Sequence, residues 1–313
     1  MNKLYLTLIA LLLLLISFFY YLFSKVDMSI AEIDNSFTEV SSKEYSKRAP
    51  IVLVSYADGP NVFFKNQNAL AQSAINKGID HVFMYKRNHI DPEFYNNHSA
   101  ILKAPIGAGY WLWKPYFIYQ TMNMMPDNSI ILYADSGVLF TQSVSKLLRD
   151  FSDKGIILVG HGKPAQMRGY IKREARQIFG IDNNEDILNS QNIWAFFMAI
   201  RNNQSSREFI KTWLDMCSIQ DAITNTPFDK SIQEKPDVLH QHDQSILSIV
   251  AAKYPKDITI VKRHHLRKKY GVHNYHRHTN RESNSSIGLL ADVPRWISDL
   301  IFNNPIIRWF RRA

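Results

Sequence analysis

Cysteine is nearly absent: Cys217 is alone among 313 residues, which excludes an intramolecular disulfide framework and a cysteine-rich structural zinc site. It reads as a small buried apolar residue. The chain also lacks a Gly-x-Gly-x-x-Gly fingerprint, a Gly-Lys-Ser/Thr phosphate loop and any internal repeat. Nicotinamide cofactors and kinase-type ATP sites thereby lose their usual support. Acidic residues are scarce in one place only. Between Lys253 and Arg281 nine Lys and Arg face a single acid, Asp257, so this segment carries nearly all of the +9 net charge. Such a patch suits a nucleotide diphosphate, a phospholipid surface or nucleic acid. No nucleic-acid motif accompanies it, which disfavours the last. With 46% hydrophobic residues the chain has ample material for a core, and disorder is excluded for most of it.

The longest apolar run is Leu4 to Phe23, 20 uncharged residues. At 1.5 Å per helical residue it spans the ~30 Å hydrocarbon layer. It exceeds a signal-peptide core and has no small-residue cleavage site after it, so residues 1–24 are expected to form a single-pass membrane anchor. Lys3 precedes the run, while Lys25 and the acids Asp27, Glu32 and Asp34 follow it. That pattern leaves the side of the membrane open. Residues 25–49 are polar and aperiodic, a stem or linker. A folded domain is expected over 50–283. The tail, 284–313, sets Trp296, Leu300, Phe302, Trp309 and Phe310 beside Arg308, Arg311 and Arg312. It is suited either to an anionic lipid interface or to packing against the domain.

Within the domain, Ile51–Tyr56, His81–Tyr85, Ser129–Tyr133, Gly155–Val159 and Ile193–Ile200 read as strands. They are short and largely apolar throughout rather than alternating. Helices are expected over 66–77, 116–125, 145–151, 169–179, 206–217 and 244–254. Strands of this kind between helices define an α/β sheet covered on both faces. In such sheets ligands bind beyond the carboxyl ends of the strands, which directs attention to the turn Tyr56 to Pro60 and to Asp135-Ser136-Gly137.

Four constellations can carry chemistry. Gly107-Ala108-Gly109-Tyr110-Trp111-Leu112-Trp113-Lys114-Pro115 is either an aromatic plug seating the next helix or a close-approach loop. In the second reading Gly107 and Gly109 admit a ligand and Lys114 meets an anion. Asp135 is either a turn residue or a carboxylate holding a divalent ion against a diphosphate. Asp243, in His240-Gln241-His242-Asp243-Gln244, is either a helix N-cap, a position His242 could also take, or a catalytic carboxylate. His276 and His278, flanking Arg277, are either metal or phosphate ligands or part of a solvated basic loop.

In order, the pieces SYADG, GAGYWLWKPYFI, YADSG, KREARQIFG, QNIWAFFMAIRN, HDQSILSIVAAKY and a terminal HRH resemble a bacterial-type glycosyltransferase of the GT-A, nucleotide-diphospho-sugar transferase, superfamily. The resemblance covers about residues 50–280. It implies a mixed, mainly parallel sheet flanked by helices. It also implies transfer of a sugar from a nucleotide-sugar donor to a glycan or glycolipid acceptor. Asp135 matches the first acid of the family's Asp-x-Asp motif, with Gly137 in place of the second. That departure weakens the Mn²⁺ or Mg²⁺ site, for which Asp135, His276 and His278 are the ligands implied. Tyr56, Asp58, Gly59, Gly107, Gly109, Trp113, Lys114, Asp135, Ser136 and Arg277 would bind the donor, and Asp243 and Gln244 would carry catalysis. The competing expectations are an inactive, membrane-anchored binding protein for anionic glycan on the same fold, and a hydrolase using Asp135 and Asp243 as paired carboxylates.

Overall fold

The computed structural model describes residues 48–162, 165–234 and 238–274. The apolar run Leu4 to Phe23, nearly all of the stem, the tail, and His276, Arg277 and His278 lie outside the described residues. Among the described residues no helix is long and apolar enough to cross a membrane.

Six strands form the central sheet in the order β2-β1-β3-β6-β5-β7. They are β1 (Ile51–Tyr56), β2 (His81–Tyr85), β3 (Ile130–Ala134), β5 (Ile156–Gly160), β6 (Ile193–Arg201) and β7 (Ile258–Lys262). β1 pairs in parallel with both β2 and β3, and β5 with β7, while β6 runs antiparallel to its neighbours β3 and β5. Five strands therefore share one direction and only β6 opposes them, which is the mixed, mainly parallel sheet expected. A separate antiparallel pair joins β4 (Val138–Phe140) to β8 (Val272–Asn274).

The central strands β1, β3, β5 and β6 are almost wholly buried, as their apolar runs require when helices cover both faces. The helices that position the site are α1 (Asn61–Ala74), α2 (Trp113–Met124), α3 (Ser145–Asp150), α4 (Arg173–Ile178), α5 (Gln204–Cys217), α6 (Asp243–Lys253) and α7 (Arg263–Tyr270). One core gathers Leu53, Leu70, Leu132, Leu147, Phe197, Leu266 and Tyr270, from β1, α1, β3, α3, β6 and α7. Elsewhere α5 packs against both α2 and α6, and α6 against β6. α5 shows why this sequence makes a half-buried helix. Phe209, Ile210, Trp213, Leu214 and Cys217 recur at helical spacing and are buried, and the Asn203 side chain caps the start by accepting from Ser206 N.

Two expected helices differ. α1 begins at Asn61 directly behind Pro60, because the Gly59-Pro60 turn already sets the entry; it ends at Ala74, before Asn76 and Gly78, both at positive φ. The helix expected over 169–179 is a short 3₁₀ turn, Met167–Gly169, followed by α4. The carbonyls of Gly169 and Tyr170 accept from Leu239 N and from Ser245 Oγ, so they are not available to a helical ladder.

At the end of β6, Asn202 is fully buried. Its amide nitrogen donates to the carbonyls of Met122, Met125 and Pro126, and its oxygen accepts from Arg207. This fixes the far end of α2 to the sheet. Asn202→Ala leaves those buried carbonyls without their donor and is expected to lower stability by about 2–3 kcal/mol, read from urea unfolding monitored by tryptophan fluorescence.

Candidate active site

The carboxyl ends of the parallel strands converge on Lys114, at the second position of α2. Its ammonium is almost wholly buried. It stands 3.1 Å from Asp243 Oδ2 and 3.4 Å from Asp135 Oδ1 and donates to the Ala195 carbonyl at 3.1 Å. One N–H is thus hydrogen-bonded to a carbonyl, and the two carboxylates are ion-pair partners of the ammonium. The Tyr133 and Trp113 rings add aromatic faces at 5.4 and 5.7 Å. Burial works against the ammonium's charge, but the two carboxylates outweigh it and hold the Lys114 pKa above the ordinary lysine value.

Asp135 follows β3. Its backbone N donates to Phe196 O and its carbonyl accepts from Val138 N, so a tight turn presents the side chain. Oδ1 accepts from the Tyr133 hydroxyl at 2.6 Å, and the carboxylate is 29% exposed, with Oδ2 open. Ser136 lies buried beneath the turn.

Asp243 is not the N-cap of α6. That position is His242, and Asp243 is the first helical residue, where the helix dipole favours its charge. The carboxyl is buried; its approach to Lys114 is ionic, and Oδ2 has no hydrogen-bond donor. Burial raises its pKa to about 6, while Lys114 pulls in the opposite direction. The Trp213 indole donates to the Asp243 carbonyl at 2.9 Å, pinning the helix start. Gln244 is structural in its contacts. Its Oε1 accepts from Ala195 N and its Nε2 donates to Gln241 Oε1, so it steadies the residue whose carbonyl receives Lys114.

The glycine- and aromatic-rich segment behaves as a plug. Gly107 to Trp111 all have positive φ. A Cβ on Gly107 would lie 2.4 Å from the Trp111 ring, and one on Gly109 would lie 2.8 Å from Leu102 Cα. The close approach these glycines permit is to the protein itself, not to a ligand. Trp113 stacks on Tyr56 at 4.1 Å and donates from its indole to Gly107 O. Phe117 lies against Tyr56 at 5.5 Å. The Tyr56 and Trp113 rings are both buried, each largely covered by the other. Lys114, buried between two carboxylates, likewise does not present a free cation to an anion. Asp58 pairs with Arg87, which also donates to Leu102 O, while Gly59 is exposed with open space around its Cα.

The sequence did not reveal the parts played by Tyr133 or Arg87, while His242 takes the N-cap position expected for it or Asp243. Tyr133 was legible in principle, two residues before Asp135 and so on the same side of the chain. Arg87 left no local signal. His242 has φ 53° and ψ −120°, a strained backbone for a residue with a side chain. It is held by Ile223 O on Nδ1 at 2.7 Å and by the Tyr110 and Trp111 rings.

Among the described residues no group of three or more His, Cys, Asp or Glu is gathered to hold a metal ion. Asp135 has an ammonium beside Oδ1, and the further ligands expected, His276 and His278, lie outside the described residues.

No family model matches this sequence, and no curated protein matches it. Among solved structures the chain is similar to three glycosyl-transferring proteins. Mouse xyloside xylosyltransferase 1 in its apo form has 10% identity over 68% of this chain and 84% of that chain, with TM-score 0.41. The galactosyltransferase LgtC in complex with donor and acceptor sugar analogs has 14% identity over 67% and 73%, with TM-score 0.35. Glucosyl-3-phosphoglycerate synthase from Mycobacterium tuberculosis, in complex with Mn²⁺, UDP-glucose and phosphoglyceric acid, has 9% identity over 73% and 75%, with TM-score 0.34.

Lys114→Met removes the cation from between two carboxylates. A loss of about 3–5 kcal/mol is expected from the uncompensated buried charge, measured by chemical unfolding. The loss should be smaller in Lys114→Met combined with Asp243→Asn.

Proposed function

We propose that this chain is a membrane-anchored glycosyltransferase that moves a sugar from a nucleotide-diphosphate donor to a hydroxyl of a glycan or lipid-linked acceptor. The observation that carries the reading is the Asp135–Lys114–Asp243 arrangement at the carboxyl ends of the strands. It offers one partly exposed carboxylate and one buried carboxylate with a pKa raised to about 6. A glycosyl donor breaks its anomeric C–O bond through an oxocarbenium-like transition state. One ammonium against two carboxylates leaves excess negative charge, which suits the positive charge developing on the sugar.

In this reading Asp135 Oδ2 accepts from a donor hydroxyl. Where Mn²⁺ or Mg²⁺ takes part, Oδ2 is the described oxygen open to it, with His276 or His278 as further ligands. If the reaction inverts, Asp243 takes the proton from the acceptor hydroxyl, since a carboxyl with a pKa near 6 combines useful basicity with ionisation at neutral pH. Arg277 and the neighbouring basic segment neutralise the departing diphosphate. Leu4 to Phe23 hold the enzyme at the membrane.

The hydrolase reading meets an obstacle, because both carboxylates lie within 3.4 Å of one nitrogen. That nitrogen occupies the space between them where a glycosidic bond would have to sit, which favours transfer chemistry elsewhere on the Asp135 side.

Two outcomes test the proposal. Asp135→Asn is expected to reduce transfer from a nucleotide sugar by at least about 100-fold while the variant's thermal unfolding stays cooperative; full activity in the folded variant defeats the assignment. For Asp243 the sign follows from its protonation. It is neutral below about 6 and ionised above, so turnover should rise with pH through that region and then level. Asp243→Asn should flatten this limb and lower kcat by about 100-fold or more; an unchanged limb removes Asp243 from the base role.

A further inference from the structure

His242 stands immediately before Asp243, and its backbone, at φ 53° and ψ −120°, lies in a region that favours glycine. Strain of this order, about 1–3 kcal/mol, persists only where the surroundings impose it, and it gathers at sites that do chemistry. The imidazole shows what the strain places. Nδ1 lies 2.7 Å from the carbonyl oxygen of Ile223, the last residue of the short helix Gln220–Ile223. A carbonyl only accepts, so Nδ1 carries the hydrogen. Burial lowers the His242 pKa below the ordinary histidine value, and the buried Lys172 ammonium works in the same direction, against the Ile223 hydrogen bond. The ring is therefore neutral at pH 7, and Nε2 holds a lone pair.

That lone pair is unused. Among the described residues no hydrogen bond reaches Nε2, and the atom is not closed off from solvent as both ring nitrogens of His240 are. His242 is otherwise only 9% exposed. Its ring is packed by Tyr110 at 4.9 Å, His240 at 5.1 Å and Trp111 at 5.5 Å, so three rings hold its plane. Tyr110 and Trp111 are themselves half-exposed, in the segment that leads into Lys114. A histidine that served only to clamp Ile223 would need Nδ1 alone. Here a fixed hydrogen-bond acceptor stands next to the candidate base and is bordered by aromatic rings that water reaches. This suits a sugar, whose hydroxyl donates to the nitrogen while its C–H face lies against an aromatic ring.

We infer that, within the transferase reading on which this rests, His242 binds the acceptor: its Nε2 receives a hydrogen bond from the attacking hydroxyl, or from water when no sugar is present. The role holds whether the reaction inverts or retains, because the oxygen must be oriented toward the anomeric carbon in either course.

Two measurements on the full chain in detergent micelles test this. With ring-¹⁵N histidine, two-bond ¹H–¹⁵N spectra at pH 7 should show the His242 ring, identified by its loss in His242→Asn, with hydrogen on Nδ1 and none on Nε2. The opposite tautomer, or an imidazolium, overturns the inference. Activity is read as nucleoside diphosphate released, with water as acceptor, from UDP-glucose, UDP-galactose, UDP-N-acetylglucosamine and GDP-mannose. An asparagine amide nitrogen stands roughly where Nδ1 stands, and a glutamine amide oxygen roughly where Nε2 stands. His242→Asn should therefore keep the Ile223 bond yet lower kcat at least about tenfold, with KM for the nucleotide sugar unchanged. His242→Gln should recover most of that loss. A clamp on Ile223 alone predicts the reverse order, with asparagine near wild type and glutamine impaired. That order, an equal loss in both variants, or loss of cooperative unfolding in His242→Asn overturns the inference. Release of no nucleoside diphosphate by the wild-type chain from any of these donors would instead defeat the transferase reading, while the spectra would still report on the imidazole.

Discussion

The ammonium of Lys114 is the constraint on which the rest of this fold depends. Taking a lysine charge out of water costs several kcal/mol unless good partners meet it. Here the lysine stands at the start of α2 and its partners come from the end of β3, the start of α6 and the main chain of β6. Four segments far apart in sequence must arrive together. Much of the buried polar detail serves that meeting: Asn202 ties down the end of α2, Trp213 holds the Asp243 carbonyl, and Gln244 holds the Ala195 amide.

The parts of this arrangement that follow local rules could be read from the sequence. Apolar runs such as Ile51 to Tyr56 give buried strands with small boundary errors, because burial on both faces leaves a local composition signal. Asp135 and Asp243 stood out for the same reason, one after an apolar strand and the other before an apolar helix. The work of Lys114 was hidden. An ion pair spanning 21 residues to Asp135 and 129 to Asp243 imposes no spacing on the chain, so the lysine looked like an anion receptor at a helix start. The glycines misled in a related way, since Gly107 and Gly109 make room for Trp111 and Leu102. A glycine announces close approach without saying what approaches.

Strain accompanies the charge. Ala108, Tyr110 and Trp111 take left-handed backbone conformations beside the two glycines, at about 1–2 kcal/mol for each residue with a side chain. His242 adds another unfavourable conformation immediately before Asp243. The two strained stretches touch through the Tyr110, Trp111 and His242 rings. Each holds the other in place, and between them they fix the start of α2 against the start of α6. The Asp243 carboxyl that follows is buried, and that burial raises its pKa against the pull of Lys114.

The single reversed strand has a consequence for how this protein tolerates change. Beyond the ends of β1, β3, β5 and β7 the chain leaves the sheet, and loops there accept insertions and exchanges. β6 enters the sheet at that same edge, so Trp194 to Phe196 belong to a hydrogen-bonded ladder rather than to a loop. The main-chain groups that hold Lys114 and the Asp135 amide are thus insulated from loop variation. Insertions in the loops at that rim would leave the Ala195 carbonyl and the Asp135 turn where the sheet puts them.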